Sequence, residues 1–302
     1  MVASPLELSV ILPAYNEEGA IARVVGALRQ RLDEEDSLRE RYEILVIDDG
    51  SSDDTAQQAR SAGGDIRVVQ HPYNIGNGAA VKTGIRHARG RVLVFMDADG
   101  QHDPGQVPEF LRACSRYDMV VGARGRRSQA GLHRSLANGL YNALASYVTG
   151  RRIHDLTSGF RAIRRDVARR FAGLLPNGFS YPTTITLCLM RAGHSVLYQP
   201  IEAAKRTGKS KIRLFSDGTK FLMVIAKICM LFAPMKIFLP VSVYLFLMGL
   251  GYYGYTFQAE HRFTNMSMLL FTTSVVIFMM GLLAEQIAQL RFERTEEAPA
   301  DG

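Results

Sequence analysis

Residues 97–101 read DADGQ, close behind the apolar run VLVFM (92–96). Carboxylates at i and i+2 of an extended chain point to the same side. Where the chain turns at a strand end, Asp97 and Asp99 can converge on one ion. Two carboxylates and the Gln101 amide form an oxygen set suited to Mg²⁺ or Mn²⁺, which complete their coordination with water and substrate phosphates. A lone pair of this kind is weak evidence, because acids often close strands against solvent. Its company gives it weight. PAYNEEG (13–19) ends another apolar run. It offers Pro13 and Tyr15 as a wall for a flat base, and Glu17 as an acceptor for a ribose or amide. VIDDGSSDDT (46–55) ends a third run and places Asp49 to accept from a base or ribose hydroxyl. Three strand ends with acids and turn residues point to one crevice for a nucleotide.

The elements that must position these groups can be read from pattern. Strands are predicted at 8–13, 42–48, 66–70, 91–96 and 118–122, with helical spacing between them. Ile21, Val24, Val25, Leu28 and Leu32 form one apolar face. Asp53 and Asp54 precede TAQQAR as acids at a helix start. Alternating strands and helices predict an α/β fold, a mainly parallel sheet covered on both faces. Ligands of such sheets bind beyond the carboxyl ends of the strands, where Asp48, Asp49, Asp97 and Asp99 all fall. Two commoner phosphate motifs fail. NIGNGAAVKTG (74–84) has Val81 in the third glycine position of a dinucleotide fingerprint, and RTGKSK (206–211) has Ala203 where a P-loop needs its first glycine.

Composition adds a second region. The chain has 302 residues, enough for one large domain and an appendage. Its formal charge of +7 suggests an anionic partner. Neither an RNA-binding aromatic signature nor a zinc spacing is present, so nucleic acid is not expected. Cys114, Cys188 and Cys229 are scattered and read as buried free thiols of a reducing compartment. The opening MVASPLELSVILPAY lacks the basic and apolar blocks of a signal peptide, so the catalytic half is expected in the cytoplasm. Two uncharged runs, 237–257 and 266–284, are each about long enough to span a bilayer. Lys227 and Lys236 precede the pair and Arg291 and Arg294 follow it, while the loop holds Arg262 beside Glu260. That bias predicts a transmembrane hairpin with both ends cytoplasmic. Residues 214–234 read as an amphipathic helix lying in the interface. Gly249, Gly251 and Gly254 could allow close helix packing, including between copies of the chain. The end of the chain, EEAPADG, reads as a disordered tail.

In order, PAYNEE, VIDDGSSDDT, NIGNGAAVKTG, MDADGQHDP, VVGARGRR, DLTSGFRAIRR and KRTGKSK resemble the family 2 glycosyltransferases of GT-A fold. Within these the chain looks most similar to polyprenyl-phosphate (dolichyl-phosphate) sugar synthases with two C-terminal membrane helices. The resemblance covers about 7–213 and the hairpin extends it. It implies a GT-A domain at 1–213, the interfacial helix at 214–234, a hairpin at 235–290 with spans near 237–257 and 266–286, and a cytoplasmic tail at 291–302. It implies that Pro13, Tyr15, Glu17, Ile47 and Asp49 hold the nucleoside, and that Asp97, Ala98 and Asp99 contact the sugar nucleotide. Asp97, Asp99 and Gln101 would hold the metal. Arg124 would face the donor phosphates, and Lys205 and Lys211 would lie on a phosphate-binding loop. Ser158 and Gly159 would line the acceptor side with Arg206. Relatives often have arginine where Lys205 stands; lysine keeps the charge without the bidentate fork. The implied reaction is inverting transfer of one sugar from a nucleotide-sugar to a polyprenyl phosphate, with Asp99 and Arg124 as catalytic residues. A phosphate monoester is largely dianionic near neutral pH and needs little help from a base. The rivals are a processive polysaccharide synthase, disfavoured by the lack of a QxxRW motif, and a non-catalytic nucleotide-sugar-binding membrane protein.

Overall fold

The computed structural model describes residues 6–64, 66–124, 139, 142–143, 145–147, 149–178, 181–201, 230 and 232–297. They fall into two compact units, one containing the N-terminal sheet and the other the C-terminal hairpin.

The strands of the first unit are β1 (Leu8–Ala14), β2 (Tyr42–Asp48), β3 (Ile66–Gln70), β4 (Val92–Phe95), β5 (Met119–Arg124), β6 (Arg161–Arg164) and β7 (Val196–Ile201). They form one sheet in the order β3-β2-β1-β4-β6-β5-β7. All neighbours are parallel except β6, which runs against both β4 and β5. The helices are α1 (Glu18–Asp33), α2 (Thr55–Ser61), α3 (Asn77–His87), α4 (Val107–Ala113), α5 (Arg165–Phe171) and α6 (Tyr181–Arg191). Chain order reverses at β1: the path moves outward to β2 and β3, then returns to β4 on the other side. A crevice opens at such a switch point, here above the carboxyl ends of β1, β2 and β4.

Alternation builds the two layers. Leu8, Val10, Leu12, Val92 and Val94 share a buried cluster with Ile21, Val24, Val25, Leu28 and Leu32 of α1. The opposite face is also closed, as Ile11, Leu45, Leu93 and Phe95 are all 0% exposed. There α3 comes so close that a methyl group on Gly84 would lie 2.4 Å from Ile11 Cγ2.

Five strands match the pattern reading to within a residue or two. β6 and β7 were not anticipated. RAIR is four residues long with an arginine at each end, so its period-2 signal is weak. VLYQPI contains Pro200, which a central strand would reject; β7 tolerates it as the edge strand.

The second unit pairs α7 (Met235–Glu260) with α8 (Asn265–Glu297). Both are long and apolar enough to cross a membrane, over Met235–Ala259 and Asn265–Leu290. Only 11% and 17% of their most apolar windows are buried, so these are not the core helices of a soluble protein. Tyr244, Leu247, Met268, Leu269 and Leu283 all face outward. Polar atoms turn inward instead: the Ser274 hydroxyl donates to the Ser242 carbonyl at 2.9 Å. A methyl on Gly249 would meet Leu270 Cβ at 3.1 Å, whereas Gly251 and Gly254 face open space. Glu285, the acid within the second span, accepts the Met235 N–H at the start of α7 at 3.4 Å, where the helix dipole favours negative charge. α8 continues to Glu297, past the start of the expected tail, because arginine and glutamate support helix well. The amphipathic segment at 214–234 lies almost wholly outside the described residues.

Candidate active site

The PAYNEE and DDGSSDD loops are stitched together. Asn16, in the left-handed region at φ 54°, donates its N–H to the Ser51 hydroxyl at 2.9 Å, and its side-chain oxygen accepts the Ser52 N–H at 2.9 Å. The Glu17 N–H reaches the Thr55 hydroxyl at 2.8 Å. Tyr15 is left 39% exposed at the rim. Pro13 and Glu17 are half-buried beside it, while Ile47 is wholly enclosed in β2 and offers no surface to a ligand.

Asp49 is tied into the fold. Its carboxylate accepts the N–H groups of Ile75 and Gly76 at 3.0 and 2.8 Å and contacts His71 Nδ1 at 2.7 Å. His71 Nε2 meets the Thr83 hydroxyl at 2.9 Å. This anchors the NIGNG loop, whose glycines serve packing. A methyl on Gly76 would lie 2.4 Å from the Asn177 carbonyl, and one on Gly78 2.0 Å from that of Pro176.

At the end of β4 the arrangement is more open. Ala98 is buried in the core, which turns its neighbours Asp97 and Asp99 away from it. Gln101 donates to Asp99 through its backbone N–H at 3.1 Å and through its side-chain nitrogen. Asp97 is crowded by protein yet has 41% of its side chain exposed, the combination expected on the wall of a cleft. Burial pushes its carboxyl upward, but the hydrogen bond and charge of His102 and the charges of Arg124 and Arg161 outweigh this and hold it below the usual carboxylate range.

Arg124 ends β5 and is aimed by Asp155. Nε and Nη2 donate to the Asp155 carboxylate at 2.8 and 3.1 Å, and Nη2 also reaches the Thr157 hydroxyl at 2.7 Å. This fork fixes the guanidinium plane. Burial alone would raise the Asp155 carboxyl; its hydrogen bonds and the Arg124 charge instead hold it low. Ser158 is fully buried, and a methyl on Gly159 would come 2.6 Å from Asp97 Oδ2. The structure therefore gathers Asp97, Asp99, Gln101, Arg124 and Gly159. Asp49 lies two strands away, about 10 Å at ordinary strand spacing. Lys205, Arg206 and Lys211 lie outside the described residues.

Two residues escaped the sequence reading. Asp155 had only its place in DLTSGF as a signal. His102 reads as part of a solvated turn before Pro104, but its side chain is 6% exposed. It stacks on Phe160, with ring centroids 5.1 Å apart, and sets Nε2 3.4 Å from Asp97 Oδ2.

Among the described residues no three His, Cys, Asp or Glu side chains cluster as a metal site. Two carboxylates and the Gln101 amide suit a hard cation shared with a substrate's phosphates, not one caged by protein alone.

The family described as glycosyl transferase family 2 matches residues 9–171, more than half of the chain. The chain belongs to glycosyl transferase family 2. A second match, the GtrB C-terminal hairpin, covers residues 233–290, so this family 2 glycosyltransferase carries its sheet domain and a membrane hairpin in one polypeptide. Its sequence is 32% identical over 171 residues to dodecaprenyl-phosphate galacturonate synthase of Rhizobium johnstonii, covering 55% of this chain and 50% of that protein. Over 307 residues it is 27% identical to undecaprenyl-phosphate 4-deoxy-4-formamido-L-arabinose transferase of Edwardsiella ictaluri, covering 94% and 89% of the two chains. In structure it is similar to glucosyl-3-phosphoglycerate synthase of Mycobacterium tuberculosis, solved with Mn²⁺, UDP-glucose and phosphoglyceric acid. That likeness has a TM-score of 0.59 at 21% identity and covers 74% and 80% of the chains; it establishes the GT-A fold.

Proposed function

We propose that this glycosyltransferase moves a single sugar from a nucleotide-sugar, GDP-mannose or a UDP-hexose, to a polyprenyl phosphate at the cytoplasmic face of a membrane. The observation that carries the reading is that one chain holds both a partly exposed Asp97 and Arg124 at the carboxyl ends of β4 and β5 and a hairpin whose apolar side chains face outward. Relatives named for dodecaprenyl-phosphate and undecaprenyl-phosphate support the acceptor class. Neighbours holding Mn²⁺ with UDP support a divalent ion.

Asp97, Asp99 and the Gln101 amide would hold Mg²⁺ or Mn²⁺, which supplies positive charge at the diphosphate. Arg124, oriented by Asp155, faces the negative charge that grows on the leaving nucleoside diphosphate. Tyr15 and Pro13 wall the base and Glu17 meets the nucleoside, while Asp49 anchors the NIGNG loop beside them. Lys205 and Lys211 add cations to the phosphates. Gly159 and Arg206 border the acceptor, with the buried Ser158 behind them. An acceptor phosphate oxygen forms the new bond to the anomeric carbon as the bond to the donor diphosphate breaks, from the opposite face, so configuration inverts. The acceptor is already ionised and needs no protein base. Both chain ends lie in the cytoplasm, on the charge bias around the hairpin.

Membranes containing the chain, given radiolabelled GDP- and UDP-sugars with undecaprenyl phosphate, should yield an organic-soluble product, and EDTA should abolish it. A long water-soluble polymer would establish a processive synthase instead. Donor binding without any product would establish a sensor.

A further inference from the structure

We propose that Arg161 is a positioning residue that fixes the wall behind Asp97, an inference that rests on the cation-assisted reading above. Arg161 lies on β6 opposite Phe95 of β4, two residues before Asp97, and is 0% exposed. Nη1 donates to the Pro182 carbonyl at 2.8 Å and the Thr186 hydroxyl at 3.1 Å, and Nη2 donates to the Ser158 carbonyl. The guanidinium also lies 6.0 Å from the Tyr181 ring centroid. Among the described residues no carboxylate is ion-paired with it. The carboxylates whose charges reach it are Asp155 and Asp97.

A buried guanidinium without a paired countercharge is costly, and an apolar side chain would fill a sheet interior more cheaply. What the fork adds is a tie between the 157–160 turn and the first turns of α6. Among the described residues Ser158 Oγ and Arg161 Nε are buried without partners, so Nη2 on the Ser158 carbonyl is the contact from Arg161 that holds the turn. The next residue is Gly159, which lies so near the Asp97 carboxylate that a methyl group there would come 2.6 Å from Oδ2. Loosening the fork lets this wall retreat and lets Asp97 leave the rotamer that serves the cation. Residues behind a metal ligand commonly matter in this way.

The full chain in detergent, with UDP or GDP at saturation, is titrated with Mn²⁺ and free ion is followed by electron paramagnetic resonance. Arg161→Met should weaken Mn²⁺ binding about 10–100-fold and lower kcat with little change in donor KM. Arg161→Lys should recover part of both. Thr186→Val, which removes one contact of the fork, should shift binding less, in the same direction. If Arg161→Met does not fold, the other two variants decide. A folded Arg161 variant with wild-type Mn²⁺ affinity and kcat overturns the inference, even if it melts at a lower temperature. A wild-type chain that takes up no Mn²⁺ with either nucleotide overturns the cation reading itself, and this inference with it.

Discussion

At the end of β2, Asp49 is 4% exposed and takes two backbone N–H groups and a histidine nitrogen. At the end of β4, Asp97 is 41% exposed, and its described hydrogen-bond partner is His102 at 3.4 Å. The two carboxylates stand at equivalent places in the sheet and have opposite surroundings. Donors of the NIGNG loop saturate the first, so its removal acts on the fold before it acts on a ligand. The His102 hydrogen bond and the charges of His102, Arg124 and Arg161 hold the second low, while much of its side chain stays open to solvent. Of these two, Asp97 keeps the exposed carboxylate surface that the proposed cation site requires.

The largest expected effect tests the open end. Asp97→Ala should lower product formation by at least about 10²–10³-fold with a nearly unchanged melting temperature, measured on the same preparation. Asp49→Ala should behave in reverse. It strands the Ile75 and Gly76 N–H groups and should cost about 2–3 kcal/mol of stability in urea melts, with donor KM rising alongside. Equal destabilisation by the two variants would break the contrast. Asp155→Asn is next in size: it keeps the shape but loses the charged fork on Arg124, and a small misplacement of that guanidinium should cost about 10²-fold in kcat. An unchanged kcat would mean that Arg124 is held in place without Asp155.

Much of this was legible because local chemistry announced it. β1, β2 and β4 show apolar runs that stop at acids and glycines, and the hairpin shows length without charge. What was hidden depends on contacts far apart in sequence. His102 is placed by a stack on Phe160 from another element. Asp155 finds Arg124 across 31 residues. The glycines of NIGNG signalled a close approach, yet the loop they approach, Pro176 to Gly178, lies about a hundred residues on. β6 was hidden because Arg161 marks it as surface, whereas the sheet buries that residue completely.

The smallest effect separates two acids that are both held low. Asp155 has 4% of its side chain exposed and is paired with Arg124; its folded carboxyl lies below the ordinary 3.8. A depressed carboxyl contributes stability that is fully present above the unfolded value and is lost as pH falls through the folded one. Wild-type stability should therefore decline below about pH 4, and Asp155→Asn should flatten part of that decline. Asp118, also held low by its Ser195 and His194 hydrogen bonds and the His194 charge against the cost of burial, keeps its share of the slope in both chains. Asp97 is lowered too, but it opens to solvent, where screening weakens its coupling to the cations around it. Asp97→Asn should then leave the acid limb of the stability curve almost unmoved. If it flattens that limb as much as Asp155→Asn does, Asp97 is a structural ion-pair partner like Asp155, and the β4 end is closed in solution.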